Sequence, residues 1–254
     1  MNGEFQISLP ENNAVECFRQ VPLSSHRQIW CFAHAGGGAA QFAKWPGLAD
    51  PGVLICAVRL PGRERRLAEP PVTDLRDLVK SLAVELDPLI RPGAVFFGQC
   101  LGALVAFEVA AELQRIGGVL PECVFVASQV APRHQRADTR ISLYDDQEFR
   151  LAVRNLGGLP AQFLHDDKIW NFMEPVFRAD FRLVESYSPA VGPIAVPITA
   201  LVGADDSSIN IDEVRDWRAY STVGYDLKVV SGNHFLNLNP GNEVLTAIQR
   251  AQNT

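Results

Sequence analysis

The stretch Ala94-Val95-Phe96-Phe97-Gly98-Gln99-Cys100-Leu101-Gly102 decides how the rest of the chain is read. A run of apolar residues suited to a strand gives way to two glycines that flank a Gln-Cys-Leu triplet. An Ala-rich helical pattern then continues from Leu101 to about Ile116 and stops at Gly117-Gly118. A strand that turns sharply into a helix thrusts the corner side chain outward at the top of a sheet, and a Cβ at either flanking glycine would crowd so tight a backbone. The corner residue is Cys100. The segment therefore predicts a nucleophile elbow with a thiol at its tip, suited to covalent attack on an acyl group.

Outward from this point, residues 28–33, 53–58, 123–127, 198–202 and 227–230 form short, continuous apolar runs rich in β-branched side chains, the pattern of strands covered on both faces. Between two of them, Leu75, Leu78, Val79, Leu82, Leu86 and Leu89 recur at helical spacing and predict a helix over 73–90 that starts at Thr73. Strands alternating with helices imply right-handed βαβ units and a mostly parallel sheet with helices on both faces. Residues 1–25, polar and carrying Pro10 and Pro22, read as an extended lead-in, and 26–254 as one domain. Over about 131–193 the alternation stops. Helical patterning covers 145–156 and recurs around Ile169, Phe172, Met173, Val176 and Phe177, with Pro175 expected to kink or break the second helix. This helical insertion is expected to form a lid over the site.

The composition, 47% hydrophobic and 20% charged over 254 residues, supplies a full core for one large α/β domain. A net charge of −6 argues against a nucleic-acid binder. Arginines stand out against this background, and Arg63, Arg65, Arg133 and Arg136 are expected to form a rim that steers an acidic partner. The five cysteines lie scattered with no CxxC pair, and Cys31, Cys56 and Cys123 fall in or beside apolar runs where a thiol behaves as a small hydrophobe. That usage fits a reducing compartment. With no secretion signal and no apolar run approaching the roughly 18 residues of a membrane span, a cytoplasmic protein is expected.

Covalent acyl transfer needs a nucleophile, a base, an acid that orients the base, and donors for the oxyanion. Cys100 is the candidate nucleophile. The candidate base is His234 in Ser231-Gly232-Asn233-His234-Phe235, a glycine-bearing loop directly after the last strand. His26, His134 and His165 lie in polar segments, and His34 is read as a side chain that shapes its own loop. Asp206, three residues after Gly203, is the candidate orienting acid, with its neighbour Asp205 as rival. The oxyanion donors are expected to be the backbone N–H groups of Leu101, directly after the nucleophile, and of Ala35 in the glycine-rich loop His34-Ala35-Gly36-Gly37-Gly38. The chain order nucleophile, Asp, His is that of α/β hydrolases.

Taken together, these motifs closely resemble the type II thioesterases of polyketide and nonribosomal-peptide assembly lines. The likeness runs through Phe32-Ala33-His34-Ala35-Gly36-Gly37, Leu60-Pro61-Gly62-Arg63-Glu64, the elbow, Arg178-Ala179-Asp180-Phe181, the turn from Gly203 to Asp206, and Gly232-Asn233-His234-Phe235. The resemblance implies an α/β-hydrolase fold and a Cys100–Asp206–His234 triad with Ala35 and Leu101 as oxyanion donors. It also implies an acyl or aminoacyl thioester substrate carried on the phosphopantetheine arm of a carrier protein, with no cofactor of the enzyme's own. The chain departs from the family at the elbow, where Gln99 and Cys100 replace the usual His and Ser. An acyl-cysteine is itself a thioester, so either water or a second carrier thiol can receive the group. Hydrolysis is the expected activity, transfer between carriers the alternative, and a non-catalytic carrier-binding module the third reading.

Overall fold

A computed structural model describes residues 6–7, 13–18, 21–22, 27–135, 140–157, 161–189, 192–238 and 243–251. In chain order the strands are β1 (Gln6–Ile7), β2 (Val15–Cys17), β3 (Val21–Pro22), β4 (Arg27–Phe32), β5 (Val53–Val58), β6 (Val95–Gln99), β7 (Cys123–Ala127), β8 (Ile198–Gly203) and β9 (Tyr225–Val230). The helices are α1 (Leu75–Leu86), α2 (Leu101–Ile116), α3 (Asp146–Leu156), α4 (Ala161–His165), α5 (Asp167–Glu185), α6 (Ile211–Arg215) and α7 (Glu243–Ala251). Seven strands form one sheet in the order β2-β5-β4-β6-β7-β8-β9, all parallel except β2, while β1 and β3 pair antiparallel with each other. This is the α/β-hydrolase-like architecture.

Alternation within each central strand feeds two cores. Trp30 and Phe32 of β4 and Phe96 of β6 pack on the α1–α2 side, whereas Ile29, Cys31, Val95 and Phe97 pack on the other side with Phe42, Trp45 and α7. Each fully buried large side chain contributes about 1.5–3 kcal/mol relative to exposure, so both layers stabilise the sheet they enclose. The helix α2 lies almost wholly buried and ends on Gly117 in the left-handed region at φ 74°. The start of α1 is set by Asp74, whose side chain accepts the Asp77 N–H, one residue beyond the expected Thr73.

Four expectations change on contact with the structure. Within the segment read as a lead-in, Val15–Cys17 joins the main sheet as an antiparallel edge strand on β5. At the opposite edge, β9 is half-exposed rather than covered on both faces, with Val229 open to solvent. The helix α5 runs unbroken across Pro175. The arginine rim is not as drawn: Arg63 and Arg66 are buried in ion pairs, Arg65 and Arg133 are exposed, Arg133 pairs with Asp216, and Arg136 falls outside the described residues.

Between β7 and β8, α3, α4 and α5 share a small core of their own, built on Phe149, Val153, Leu164, Trp170 and Phe177. Arg178 ties this unit together by donating to the Ser142 and Tyr144 carbonyls while its guanidinium lies over the Phe149 ring. Among the described residues, no helix is long and apolar enough to cross a membrane, and no cluster of three His, Cys, Asp or Glu side chains is arranged to hold a metal ion.

Candidate active site

Parallel strands deliver their carboxyl ends to the same edge of a sheet, and α/β proteins place their ligands there. Five such ends lie side by side here. β4 leads to Ala35, β6 to Cys100, β7 to Ser128, β8 to Asp206 and β9 to His234.

The elbow is built by close backbone contact. Cys100 has φ 53° and ψ −120°, a conformation that L residues adopt only when their surroundings impose it. Its N–H donates to the Ala127 carbonyl at 2.9 Å, and its carbonyl accepts the Ala103 N–H at 2.8 Å. A Cβ on Gly98 would lie 2.1 Å from the Gly102 carbonyl oxygen, and one on Gly102 would lie 2.1 Å from that of Phe32. Both glycines are therefore required by space. Cys100 is partly exposed, unlike Cys31, Cys56 and Cys123, which are buried. Burial pushes the Cys31 and Cys56 thiols well up and that of Cys123 to about 11.

The other chemistry-bearing groups converge on Cys100. His234 Nδ1 lies 2.9 Å from Asp206 Oδ2, which leaves Nε2 for the Cys100 side chain within hydrogen-bonding reach of the ring. Asp206, not Asp205, faces the imidazole; Asp205 is exposed and contributes its N–H to the Gly232 carbonyl. The second Asp206 oxygen accepts the Ser208 N–H at 3.1 Å and its Oγ–H at 2.6 Å. Burial disfavours the Asp206 carboxylate, but the bonds from His234 and Ser208 outweigh it and hold its pKa below the usual range. For His234, burial disfavours the cation, yet Asp206 and the Cys100 sulfur prevail and raise its pKa to about 10.

His34 is buried beside this group and plays a different part. Gln41 Nε2 lies 2.8 Å from its Nε2, and its Nδ1 lies 2.9 Å from the Ala35 carbonyl. A neutral ring protonated on Nδ1 satisfies both contacts, and burial lowers its pKa accordingly. His34 thus shapes the Ala35 loop.

Ala35 and Leu101 lie at the ends of neighbouring strands, since Phe32 of β4 pairs with Gly98 of β6. Leu101 opens α2, where the first N–H groups have no partner within the helix. The next N–H in the other loop, that of Gly36, is already committed to Asp180 Oδ2 at 2.7 Å.

Several residues here escaped the sequence reading. Gln99, fully buried, donates from Nε2 to the His234 carbonyl at 2.6 Å and so ties the elbow to the histidine loop. Ser128 holds φ 48° and lines the catalytic cavity, and its buried Oγ has no hydrogen-bond partner among the described residues. Its only sequence signal is its place directly after a strand. Asp180 sits in the Arg178-to-Phe181 motif, but its partner could not be read from that motif. It receives two parallel bonds of 2.7 Å from Arg63, whose Nη1 also donates to the Gly37 carbonyl. This buried clamp joins α5 to the loop that carries Ala35. Asp180→Asn, which strands the Arg63 charge, is expected to lower stability by about 3–5 kcal/mol. In urea melts the double variant Arg63→Met/Asp180→Leu is expected to recover most of that loss.

A cavity of about 330 Å³ opens onto Cys100, with His234, Ala35, Ser128, Phe177 and Phe235 among its walls. Residues 27–251 match the family described as the thioesterase domain. The chain belongs to the thioesterase family. The thioesterase is 33% identical over 216 residues to the gramicidin S biosynthesis protein GrsT of Aneurinibacillus migulanus, covering 85% of this chain and 84% of that one. To thioesterase PikA5 of Streptomyces venezuelae it is 34% identical over 221 residues, covering 86% and 78%. Its fold superposes on the type II thioesterase BorB of the borrelidin biosynthetic cluster with a TM-score of 0.87 at 29% identity, covering 96% of this chain and all of that one. The enzyme is a thioester hydrolase.

Proposed function

We propose that this thioesterase removes acyl or aminoacyl groups from the phosphopantetheine arm of carrier proteins in polyketide or nonribosomal-peptide biosynthesis, through an acyl-Cys100 intermediate. The observation that carries the reading is the continuous path from Asp206 through His234 to a strained, partly exposed Cys100 at the floor of an apolar cavity. His234 Nε2 takes the Cys100 proton, Sγ attacks the thioester carbonyl, and the Ala35 and Leu101 N–H groups receive the oxyanion. The imidazolium then returns the proton to the departing pantetheine thiol. In the second half, His234 activates water, which attacks the acyl-cysteine, and the free acid leaves. Asp206 holds the ring in the tautomer both halves need. The helical insertion serves as the lid, and the arm of the partner is the prosthetic group the chemistry requires.

The sulfur itself favours a second reading. Exchange of one thioester for another is nearly isoenergetic, so a second carrier thiol could receive the group in place of water. Incubation with an acyl-loaded carrier protein, with and without a second holo-carrier, separates the two by intact mass. Acyl-Cys100 followed by free acid at a rate indifferent to the second carrier is the expected result. Label reaching the second carrier faster than acid forms supports the shuttle, and no adduct on Cys100 overturns both.

A further inference from the structure

Two cavities meet at one aromatic ring. Phe177 lines the 330 Å³ catalytic cavity and also a larger apolar one of about 630 Å³, whose walls include Gly36, Ile169, Phe172, Met173 and Val176. No member of the Cys100–His234–Asp206 group borders the larger one. The ring is a fixed wall. It is 3% exposed and stacks on Trp170, with centroids 6.2 Å apart and planes 19° from parallel. It also lies directly on Gly36, where a Cβ would come within 1.9 Å of its Cε1 atom. The absent side chain at residue 36 is what lets the ring seat between the two spaces. Residues of α5 on both sides of the ring therefore face different cavities, Val176 and Met173 the larger, Phe181 the catalytic.

We propose that Phe177 is a specificity-determining residue that closes the catalytic cavity against the larger chamber, so that the enzyme prefers short acyl groups and the chamber is a latent site for a long alkyl chain. This rests on the reading that an acyl thioester reacts at Cys100. A chain whose carbonyl lies at Cys100 meets the Phe177 ring before it meets the chamber. Removing the ring joins the two volumes without touching a group that handles the reacting atoms. The chamber lining is apolar along one face of α5, and Phe172, 63% exposed, and Leu67, 51% exposed, lie at its edge. Arg63, Glu64 and Lys168 also border the chamber, but its wall is mostly apolar and suits methylene groups.

The test compares the wild type, Phe177→Ala, Phe177→Leu and Phe177→Ala/Val176→Trp on butyryl- and octanoyl-pantetheine thioesters. Its readouts are kcat/KM and the acylation of Cys100 by intact mass. The octanoyl-to-butyryl ratio within one preparation is independent of how much of that preparation is folded. Each buried methylene is worth about fourfold in binding, so Phe177→Ala is expected to raise this ratio by about tenfold or more. Phe177→Leu is expected to give a smaller rise. Val176→Trp, which refills the chamber, is expected to return the ratio towards the wild-type value. Turnover with an unmoved ratio, or an equal change at both chain lengths as for a chamber that seats the pantetheine arm, overturns this proposal alone. Failure of the wild type to form any acyl-Cys100 overturns it together with the reading it rests on.

Discussion

Cys100→Ala is expected to lower kcat/KM for a carrier-bound or pantetheine thioester by about 10⁴-fold or more, the loss that follows when a triad nucleophile is removed and only oxyanion stabilisation and binding remain. A second signature makes the result specific to the pairing of sulfur and ring. The His234 pKa is raised to about 10 against the effect of burial, and the Cys100 sulfur supplies part of that rise. A ring raised that far keeps its second proton through neutral pH. An acylated sulfur carries no charge, so the same ring loses that support and its pKa falls. The sign matters for turnover, because the ring must be neutral to draw a proton from water in the second half-reaction. NMR titration is expected to place the His234 transition lower in carbamidomethylated enzyme and in Cys100→Ala than in the free enzyme. Identical titrations in all three would mean that sulfur and imidazole do not share a proton.

Asp206→Asn is expected to cost on the order of 10²–10⁴ in kcat with little change in substrate affinity. The carboxylate accepts from His234 Nδ1 at 2.9 Å, which fixes the proton on Nδ1 and leaves Nε2 basic towards Cys100. An amide in its place can turn its NH₂ towards Nδ1, which moves the ring proton to Nε2 and presents a donor where a base is needed. The neighbouring Asp205→Asn is expected to stay within about twofold of the wild type, as for a solvated surface group. Steady-state kinetics on the pair of variants decides between two adjacent carboxylates. A large loss in Asp205→Asn and none in Asp206→Asn would reverse the assignment.

The ease with which different parts of this enzyme were read from the chain follows from the range of the forces involved. Strands β5 and β7 run over 53–58 and 123–127 as expected, because a strand buried on both faces must be apolar throughout and the pattern is local. The elbow was legible for the same reason, since its two glycines answer to atoms within four residues or on the adjoining strand. What depends on a distant partner was not. Arg63 looks like a surface charge until Asp180, 117 residues later, is set against it. The edge position of β9 depends on no further strand pairing beyond it among the described residues, which composition does not encode. Pro175 was expected to interrupt α5. It is instead carried within a helix whose apolar face packs into the insertion core on either side, at Trp170 and Phe177. Gln99 was visible in the elbow and Phe177 in the apolar stripe of the insertion, but what they meet, like what Ser128 faces, lies far along the chain or across the cavity and could not be read locally.

The Arg63–Asp180 clamp also has a mechanical consequence. Lifting α5 away from the sheet would pull apart a doubly bonded, buried pair of opposite charges, so α5 and the loop that carries Gly36 and Gly37 are expected to move as one unit. α3, whose Val153, Leu156 and Gly157 border the catalytic cavity, is held to α5 in turn through the core of Phe149, Val153 and Trp170 and through Arg150 bonded to Asp167. Any displacement of the insertion is therefore expected to carry the loop that bears Ala35 with it.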